Sequence, residues 1–440
     1  MKFLPQLSLT VVSALAMAAA APASAQTEIV IATVNNADMI RMQEVTSVFE
    51  ESHPDIKVNW VTLEENILRQ RVTTDIATGS GQYDVMTIGN YEVPIWGKQG
   101  WLVPLDNLDA SYDVDDLLPK VRASLSYEGT LYAAPFYGEA SMTYYRTDLF
   151  EKAGLEMPDR PDWAFIKDAA AKIHDPDNGV YGICLRGKAG WGENINFITA
   201  MANSYGARWF DENWVPQFDS EAWKTTLTDY VDLMHNAGPP GGSTNGATQA
   251  LAQFTSGGCG IFIDATVFAS VVSDPEQSSI ADKVGFAFSP HDHKGKSAVT
   301  LWAWALGIPA ASQNVDAAKA FIMWATSKEY TDLIAERYGI LNAPPATRLS
   351  LYENQAYLDA APFAELTMEA VDAADPENPT VDPVPYVGVQ FVSIPEFQAF
   401  GTAVGQAFSA AAAGTVPVDQ ALATAQSVTE RAVRQGGYMK

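Results

Sequence analysis

The feature that most constrains the fold is an alternation of strand and helix patterns in residues 28–90. Three short runs of β-branched and apolar residues predict strands at 28–34, 56–61 and 84–88. The intervening stretches carry apolar residues at helical spacing, such as Leu68, Val72 and Ile76 in the second one. This βαβαβ order predicts a mainly parallel sheet with helices on both faces, and ligands of such sheets bind beyond the carboxyl ends of the strands.

The same kind of pattern resumes in the second half of the chain. Further strands are predicted at 180–185, 260–264 and 300–308, and helices at 194–204, 220–235 and 418–434. A chain of 440 residues exceeds what one hydrophobic core usually organises, which favours two domains. The sequence therefore predicts an α/β protein with two domains.

The first 25 residues have the pattern of a secretory signal peptide. Lys2 supplies a positive charge, an apolar run covers residues 7–21, and Ala23-Ser24-Ala25 offers a small-x-small cleavage pattern. A membrane anchor is the alternative, but about 15 apolar residues fall short of the ~20 that span a bilayer. We therefore predict cleavage after Ala25, export to the periplasm and no insertion into the membrane.

The net charge narrows the possible partners. The chain has 53 acidic and 27 basic side chains, which gives a formal charge of −26. A surface this acidic repels phosphate backbones and anionic lipid headgroups. Nucleic acid and membrane surfaces are therefore not expected as partners.

Cys184 and Cys259 are the two cysteines of the chain, and each lies in a strand-like run. In an oxidising compartment they could form a disulfide. Two buried thiols in neighbouring strands fit the sequence equally well. The sequence leaves both states open.

Motifs of common catalytic and cofactor sites are absent from the sequence. It has no G-x-S-x-G, no H-E-x-x-H and no P-loop. The segment His291-Asp292-His293 could ligate a metal, but a short polar segment of this kind is more often a solvated loop. We therefore predict no metal, no cofactor and no catalytic residues, although counting carboxylates does not exclude a glycosidase-like pair.

A series of short motifs resembles the extracellular solute-binding proteins of family 1, the sugar-binding components of ABC importers. These motifs occur in order at 49–54 (FEESHP), 81–85 (GQYDV), 100–105 (GWLVPL), 131–136 (LYAAPF), 144–150 (YYRTDLF), 254–264 (FTSGGCGIFID), 306–312 (LGIPAAS) and 318–321 (AKAF). Within the family, the segments most similar to the sorbitol- and mannitol-binding branch are 33–39 (TVNNADM), 135–141 (PFYGEAS) and 184–194 (CLRGKAGWGEN).

The resemblance implies two α/β lobes, each a mainly parallel sheet flanked by helices, that close over a ligand by hinge motion. Chain crossings are expected near 139–142, 298–302 and 341–345. The amino-terminal lobe would then comprise 26–140 and 303–342, and the carboxyl-terminal lobe 141–302 and 343–440. The resemblance also implies a monomer whose closed state is recognised by the membrane subunits of an importer.

A linear polyol carries a hydroxyl on every carbon and has no flat apolar face. Its cleft therefore needs paired hydrogen-bond acceptors and donors, and a missing hydroxyl would leave a buried partner unsatisfied. The residues expected in the cleft are Asn35, Asn36, Glu65, Arg69, Asn90, Tyr137, Glu139, Arg186, Trp191, Asn194, Asp264, Trp302, Trp304 and Asn342. Glu139 is the strongest candidate, because the resemblance places a cleft-facing carboxylate at this expected crossing.

Several of these residues have a structural interpretation as well. Asn36 and Asp264 could simply cap the helices that follow them. Glu65 and Arg69 have the spacing of an exposed i,i+4 salt bridge, and Arg186 could pair with an acidic neighbour instead of ligand hydroxyls. At least one of Trp302 and Trp304 is expected in the cleft, because both flank a crossing.

Two other functions remain open from the sequence. A binder of a cyclic mono- or disaccharide would stack sugar faces on aromatic rings, and aromatic residues make up 11% of the chain. A secreted glycoside-processing enzyme would need two carboxylates at a suitable separation. The polyol-binding component of an importer is the function that the sequence favours.

Overall fold

The computed structural model describes residues 26–106, 108–292 and 296–439. The predicted signal peptide lies outside the described residues, as does His293 of the candidate metal motif. Within the described residues, no helix has the length and apolar character needed to cross a membrane.

The strands account for two main sheets and one small hairpin. In chain order they are β1 (Thr27–Val34), β2 (Ile56–Leu63), β3 (Val85–Gly89), β4 (Ser126–Tyr127), β5 (Thr130–Leu131), β6 (Ala133–Glu139), β7 (Ser141–Arg146), β8 (Tyr181–Cys184), β9 (Cys259–Ala265), β10 (Val284–Phe288) and β11 (Trp302–Gly307).

Helices surround both sheets. They are α1 (Ala37–Glu44), α2 (Thr46–Ser52), α3 (Glu65–Thr78), α4 (Glu92–Lys98), α5 (Pro119–Ser124), α6 (Thr147–Ala153), α7 (Trp163–Ile173), α8 (Asn194–Ser204), α9 (Glu221–Asn236), α10 (Ala247–Thr255), α11 (Ala269–Ser273), α12 (Val315–Ala325), α13 (Lys328–Tyr338), α14 (Leu349–Tyr352), α15 (Gln355–Ala360), α16 (Ala364–Ala373), α17 (Phe397–Ala412) and α18 (Val418–Gln435). Short 3₁₀ helices lie at Ala110–Tyr112, Val114–Asp116, Pro176–Asn178, Gly242–Thr244, Thr266–Phe268, Ala281–Lys283 and Ile340–Asn342.

Each main sheet forms the centre of one lobe, which confirms the two-lobed α/β fold. The five-stranded sheet of the first lobe has the order β2-β1-β3-β11-β6, and the four-stranded sheet of the second lobe has the order β10-β7-β9-β8. Helices α1 to α3 pack on the first sheet, while α7, α9 and α10 pack on the second. The βαβαβ unit of residues 27–89 forms as predicted, with β1 parallel to both β2 and β3.

The sheets are mixed, but each is mainly parallel as predicted, because all of its strands except one run in the same direction. In the first sheet β11 runs antiparallel to both β3 and β6, and in the second β7 runs antiparallel to both β9 and β10. These two strands are reversed because of the direction in which the chain enters each lobe. Both β7 and β11 begin at the cleft, where Ser141 pairs with Ala265 at the end of β9 and Trp302 with Glu139 at the end of β6.

The chain passes between the lobes at three places. Strand β6 of the first sheet leads directly into β7 of the second through Ala140. The chain returns through residues 289–301, which connect β10 to β11. The third passage lies between α13 and α16, and here the Gly138 N–H donates to the Pro345 carbonyl at 2.9 Å. These passages bring the ends of strands from both sheets to one cleft.

The second lobe contains a disulfide, whose presence the sequence did not decide. It joins Cys184 at the end of β8 to Cys259 at the start of β9. Both cysteines are buried in a small apolar cluster with Phe254 and Phe262. The disulfide therefore cross-links two neighbouring strands of the second sheet.

Candidate functional site

A cavity of about 370 Å³ lies between the two lobes, at the carboxyl ends of the strands as the βαβαβ pattern predicted. From the first lobe it is lined by residues that follow β1 and β2 and by the adjoining ends of β6 and β11. The second lobe contributes the loop after β8 and residues near α10 and α11. The volume suits a small ligand enclosed by both lobes.

Ten of the fourteen residues expected in the cleft line this cavity. They are Asn35, Asn36, Glu65, Arg69, Tyr137, Glu139, Arg186, Trp191, Trp302 and Trp304. They come from five segments that are distant in sequence, and the fold brings them together because the ends of their strands meet at the cleft.

Glu139 ends β6 and lines the cavity without a hydrogen-bond partner among the described residues. Burial raises the pKa of its carboxyl to about 8; Arg186 opposes this shift and Asp264 adds to it. At neutral pH the carboxyl is therefore mainly protonated, so it can donate one hydrogen bond and accept others. This is the behaviour that a ligand hydroxyl requires from its partner.

Arg186 pairs with Asp264, one of the two interpretations that the sequence left open. The Arg186 Nε donates to Asp264 Oδ2 at 2.8 Å, its Nη2 donates to Oδ1, and its Nη1 donates to the Gly192 carbonyl at 3.0 Å. Both side chains are buried. Asp264 lies behind Arg186 in a smaller adjoining cavity, so it holds the arginine in place instead of lining the main cavity.

Asn36 has both of the roles suggested for it. Its Oδ1 accepts a hydrogen bond from the Met39 N–H at 2.9 Å and so caps α1, while its Nδ2 donates to the Tyr137 hydroxyl at 2.8 Å. The Tyr137 hydroxyl keeps its own proton for another acceptor. One asparagine thus fixes the start of a helix and orients a phenol at the cavity.

Arg69 forms a buried network with two carboxylates, not the exposed i,i+4 pair expected from the spacing. Its Nε and Nη2 donate to Glu65 Oε1 at 3.0 and 2.8 Å, and its Nη1 donates to Glu92 Oε1 at 2.9 Å. Glu92 is in turn fixed by the Gly89 N–H, which donates to Oε2 at 3.0 Å. The side chain of Arg69 is only 6% exposed.

Three tryptophans surround the guanidinium of Arg69. Its central carbon lies 4.0 Å from the ring centroid of Trp191 and 4.7 Å from those of Trp302 and Trp304. Trp302 and Trp304 lie two positions apart on β11, so they share one face of the sheet. The indole N–H of Trp302 is buried and meets no acceptor among the described residues.

Three further residues expected in the cleft lie outside the cavity, because their side chains are hydrogen-bonded to backbone groups elsewhere. Asn90 donates to the Leu301 carbonyl at 3.0 Å and accepts from the Ala303 N–H, which braces the second passage. Asn194 donates to the Gly405 carbonyl at 2.8 Å. Asn342 donates to the Tyr338 carbonyl, and its buried Oδ1 has no partner among the described residues.

Several polar lining residues were missed in the sequence. Glu64, Lys188 and Glu193 form a chain of charges across the cleft, in which the Lys188 ammonium bonds Glu64 of the first lobe and lies 3.4 Å from Glu193. Others are Asp38, Asn196, Thr248, Gln249, Gln277 and Gln390. Asp38, Lys188 and Glu193 occur within the motif segments of the polyol branch, whereas nothing in the sequence singles out the rest.

The lobes approach closely where the loop after β8 meets the start of α3. A Cβ built on Gly192 would lie 2.3 Å from Glu65 Oε1, and one on Gly190 would lie 2.9 Å from Asn66 Oδ1. A side chain at either position would require the side chain of Glu65 or Asn66 to move. The two glycines therefore permit direct contact of the loop backbone with the first lobe.

The charges of the lining favour a neutral, hydroxyl-bearing ligand. Five carboxyl groups and three cationic groups line the cavity, which disfavours an anionic ligand; the carboxyl groups belong to Asp38, Glu64, Glu65, Glu139 and Glu193. Burial raises the pKa of Glu193, and the negative charge of Glu65 raises it further. Within the described residues, no group of three or more histidine, cysteine or acidic side chains is arranged to hold a metal ion.

Comparison with known proteins adds independent findings. A profile of the bacterial extracellular solute-binding proteins matches residues 34–332. The mannitol-binding protein of Pseudomonas aeruginosa is 57% identical over 410 residues, 93% of this chain and 94% of the relative. An ABC transporter solute-binding protein from Agrobacterium vitis S4, crystallised with bound D-mannitol, is 62% identical with a TM-score of 0.93, covering 94% of this chain and 100% of that one. A ribitol complex from Agrobacterium radiobacter K84 shares the fold at 22% identity, with a TM-score of 0.81 over 92% of this chain and 98% of that one.

Proposed function

Because this chain belongs to the family of bacterial extracellular solute-binding proteins, we propose that it binds a linear polyol of the mannitol and sorbitol class for an ABC importer. The ligand would lie in the cavity between the lobes. The observation that carries this proposal is the lining of that cavity, which combines hydrogen-bond donors and acceptors with the partnerless carboxyl group of Glu139. The identity of the ligands in two close relatives supports the same class.

The polyol would be held mainly by hydrogen bonds to residues fixed by their own partners. Glu139 and Tyr137 of the first lobe and Arg186 of the second bring a carboxyl, a phenol and a guanidinium to the cavity. Asn35 and Lys188 would add contacts at the cavity mouth. Hydrogen bonds to charged groups contribute roughly 1.5–3 kcal/mol each and neutral ones about 1 kcal/mol, so three or four suffice for tight binding.

Binding would be coupled to closure of the lobes. Contacts to both lobes are available to the ligand only when the cleft is closed, so its binding energy favours the closed state. We propose that the membrane subunits of the importer recognise that state, and that the protein acts as a monomer. We also propose a periplasmic location after cleavage behind Ala25, and a role in binding without catalysis.

A thermal-shift panel on protein freed of carried ligand tests the proposal. It would compare mannitol, sorbitol, arabitol and xylitol with glucose, fructose, maltose and buffer. A ligand at a hundred times its dissociation constant stabilises the folded state by about 2.7 kcal/mol, which raises the melting temperature measurably. We expect a shift with the hexitols and not with the cyclic sugars. A shift with glucose or maltose alone would overturn the ligand class.

Glu139→Ala locates the site in the same assay. The substitution removes a partnerless carboxyl that is unfavourable to ionise when buried, so we expect polyol affinity to fall about 10- to 100-fold while the unliganded protein is at least as stable as before at neutral pH. Glu430→Ala, which alters an exposed carboxylate on α18, is the matched control and should leave affinity unchanged. Full affinity of Glu139→Ala would remove Glu139 from the site.

A further inference from the structure

The arrangement of Arg69 among three tryptophans has a consequence for ligand choice. Binding sites for cyclic sugars commonly stack the apolar face of a pyranose ring on an aromatic ring. The cavity contains the aromatic surface for such stacking, since Trp191, Trp302 and Trp304 all line it. A linear polyol has no flat face and gains little from these rings.

The guanidinium already covers that aromatic surface. It lies over all three rings at 4.0–4.7 Å from their centroids, well within the distance of a cation–π contact. A pyranose would need the same position above the rings. The arginine therefore occupies the space in which a cyclic sugar would stack.

The other sides of the rings offer no substitute. Trp191 packs against Tyr91 and Phe397, with ring centroids 4.8 and 5.9 Å away. Trp302 lies against Gly89, where a Cβ would come within 1.9 Å of its ring. All three indoles are at least nine-tenths buried, so with Arg69 in place little ring surface is left open to the cavity.

Arg69 is held in this position by the protein itself. Glu65 and Glu92 together accept three of its N–H groups, and Glu92 is buried and fixed by the Gly89 N–H. Moving the guanidinium aside would leave Glu92 as an unpaired charge in the interior, which is strongly unfavourable. A ligand cannot displace the arginine to reach the rings.

We propose that Arg69 is a specificity-determining residue, which excludes cyclic sugars by covering the three tryptophans and so leaves the cavity to linear polyols. This inference rests on the proposed function. It assigns the discrimination against pyranoses to a residue that masks the aromatic surface, in addition to the residues that match ligand hydroxyls.

The test uses a variant that removes the arginine without leaving Glu92 as an unpaired buried charge. Arg69→Ala combined with Glu92→Gln uncovers the rings, and the amide oxygen of the glutamine can still accept from the Gly89 N–H. Dissociation constants for D-mannitol and methyl β-D-glucopyranoside would be measured by calorimetry in this variant and in the unaltered protein, after circular dichroism has shown that both are folded. We expect the preference for mannitol over the glucoside to fall at least tenfold, with the glucoside binding more tightly than before.

Two further variants keep the outcome decisive. Arg71→Ala removes an exposed arginine from the same helix α3, retains the guanidinium of Arg69 over the rings and should leave the preference within threefold. Arg69→Lys retains a charge for Glu92 but loses the flat guanidinium, so it should move the preference in the same direction as the double variant, and it decides the test if the double variant does not fold. An unchanged preference in folded variants would overturn the inference, whereas failure of the unaltered protein to bind mannitol would overturn the proposed function.

Discussion

The two buried arginines of the cavity have contrasting surroundings. Arg186 belongs to the second lobe and has only polar partners, with Asp264 accepting from two of its nitrogens and the Gly192 carbonyl from the third. Arg69 belongs to the first lobe and also has carboxylate partners, but three indole rings surround it. The comparison shows that a buried arginine can either form part of a polar surface, as Arg186 does, or cover an aromatic surface, as Arg69 does.

The largest expected effect concerns the polar surface around Arg186. Arg186→Met leaves Asp264 buried without a counter-charge, and breaking a buried pair in this way typically costs about 3–5 kcal/mol of unfolding free energy. Urea unfolding of the unliganded protein measures the loss. Arg434→Met, which breaks an exposed pair with Glu430 on α18, is the matched control and should cost at most about 0.5 kcal/mol.

A second comparison separates the lost charge from the lost packing. Arg186→Met combined with Asp264→Leu removes both charges and should recover much of the stability lost in the single variant. If Arg186→Met alone were as stable as the unaltered protein, the pair would not be the structural support of that polar surface. The contrast with Arg69 would then fail.

An intermediate effect concerns pH and the carboxyl that faces Arg186. The pKa of Glu139 is raised to about 8 in the folded protein, so between its unfolded value near 4.5 and pH 8 the native state holds a proton that the unfolded state has lost. Stability from this group is therefore complete below about pH 4.5 and is lost as the pH rises towards 8. We expect a decline of about 1 kcal/mol per pH unit in the unliganded protein.

Glu139→Gln isolates this contribution, because the amide stays neutral throughout. The difference in unfolding free energy between the unaltered protein and this variant, measured in urea at pH 5, 6, 7 and 8, should decline across the series. A difference independent of pH would mean that Glu139 is ionised at neutral pH, and the polar surface around Arg186 would then carry one more negative charge than we infer.

The smallest expected effect concerns the charges that link the lobes. The pair between Lys188 and Glu64 joins the two lobes and is partly exposed, so it contributes only about 0.2–1 kcal/mol to closure. Lys188→Met should therefore weaken polyol binding about two- to fivefold in calorimetry, and less so in high salt. Lys172→Met, which breaks a pair within α7, should have no effect on affinity. An equal effect of both variants would argue against a cross-lobe role for Lys188.

The positions of the strands and helices can be predicted closely from the sequence, whereas the direction of β7 and β11 within their sheets cannot. The predicted strand at 28–34 is observed as Thr27–Val34, and the predicted helix at 194–204 has the bounds Asn194–Ser204. Hydrophobic periodicity depends on neighbours along the chain, so it finds such elements. The antiparallel direction of β7 and β11 depends on where the chain enters each lobe, which periodicity does not contain.

Cavity residues could be predicted from the sequence where they lie at the end of a strand. The direction in which their side chains point could not be predicted. Asn36, Glu139 and Arg186 follow or end strands at the cleft and line the cavity. Asn90 also follows a strand, but its amide satisfies the backbone of residues 301–303. Gln277 and Gln390 reach the cavity from segments whose sequence has no strand or helix end at that point, so only the tertiary structure brings them there.

The close approach of the lobes at Gly190 and Gly192 bears on how such a protein can change its ligand without changing how its lobes meet. At these glycines the main chain of the second lobe comes close to Glu65 and Asn66 of the first, so this part of the contact between the lobes needs no side chain from the loop. Substitutions elsewhere in the cavity can then change which solute is captured while this contact stays the same. Related proteins could therefore come to bind different solutes while still docking on the same membrane subunits.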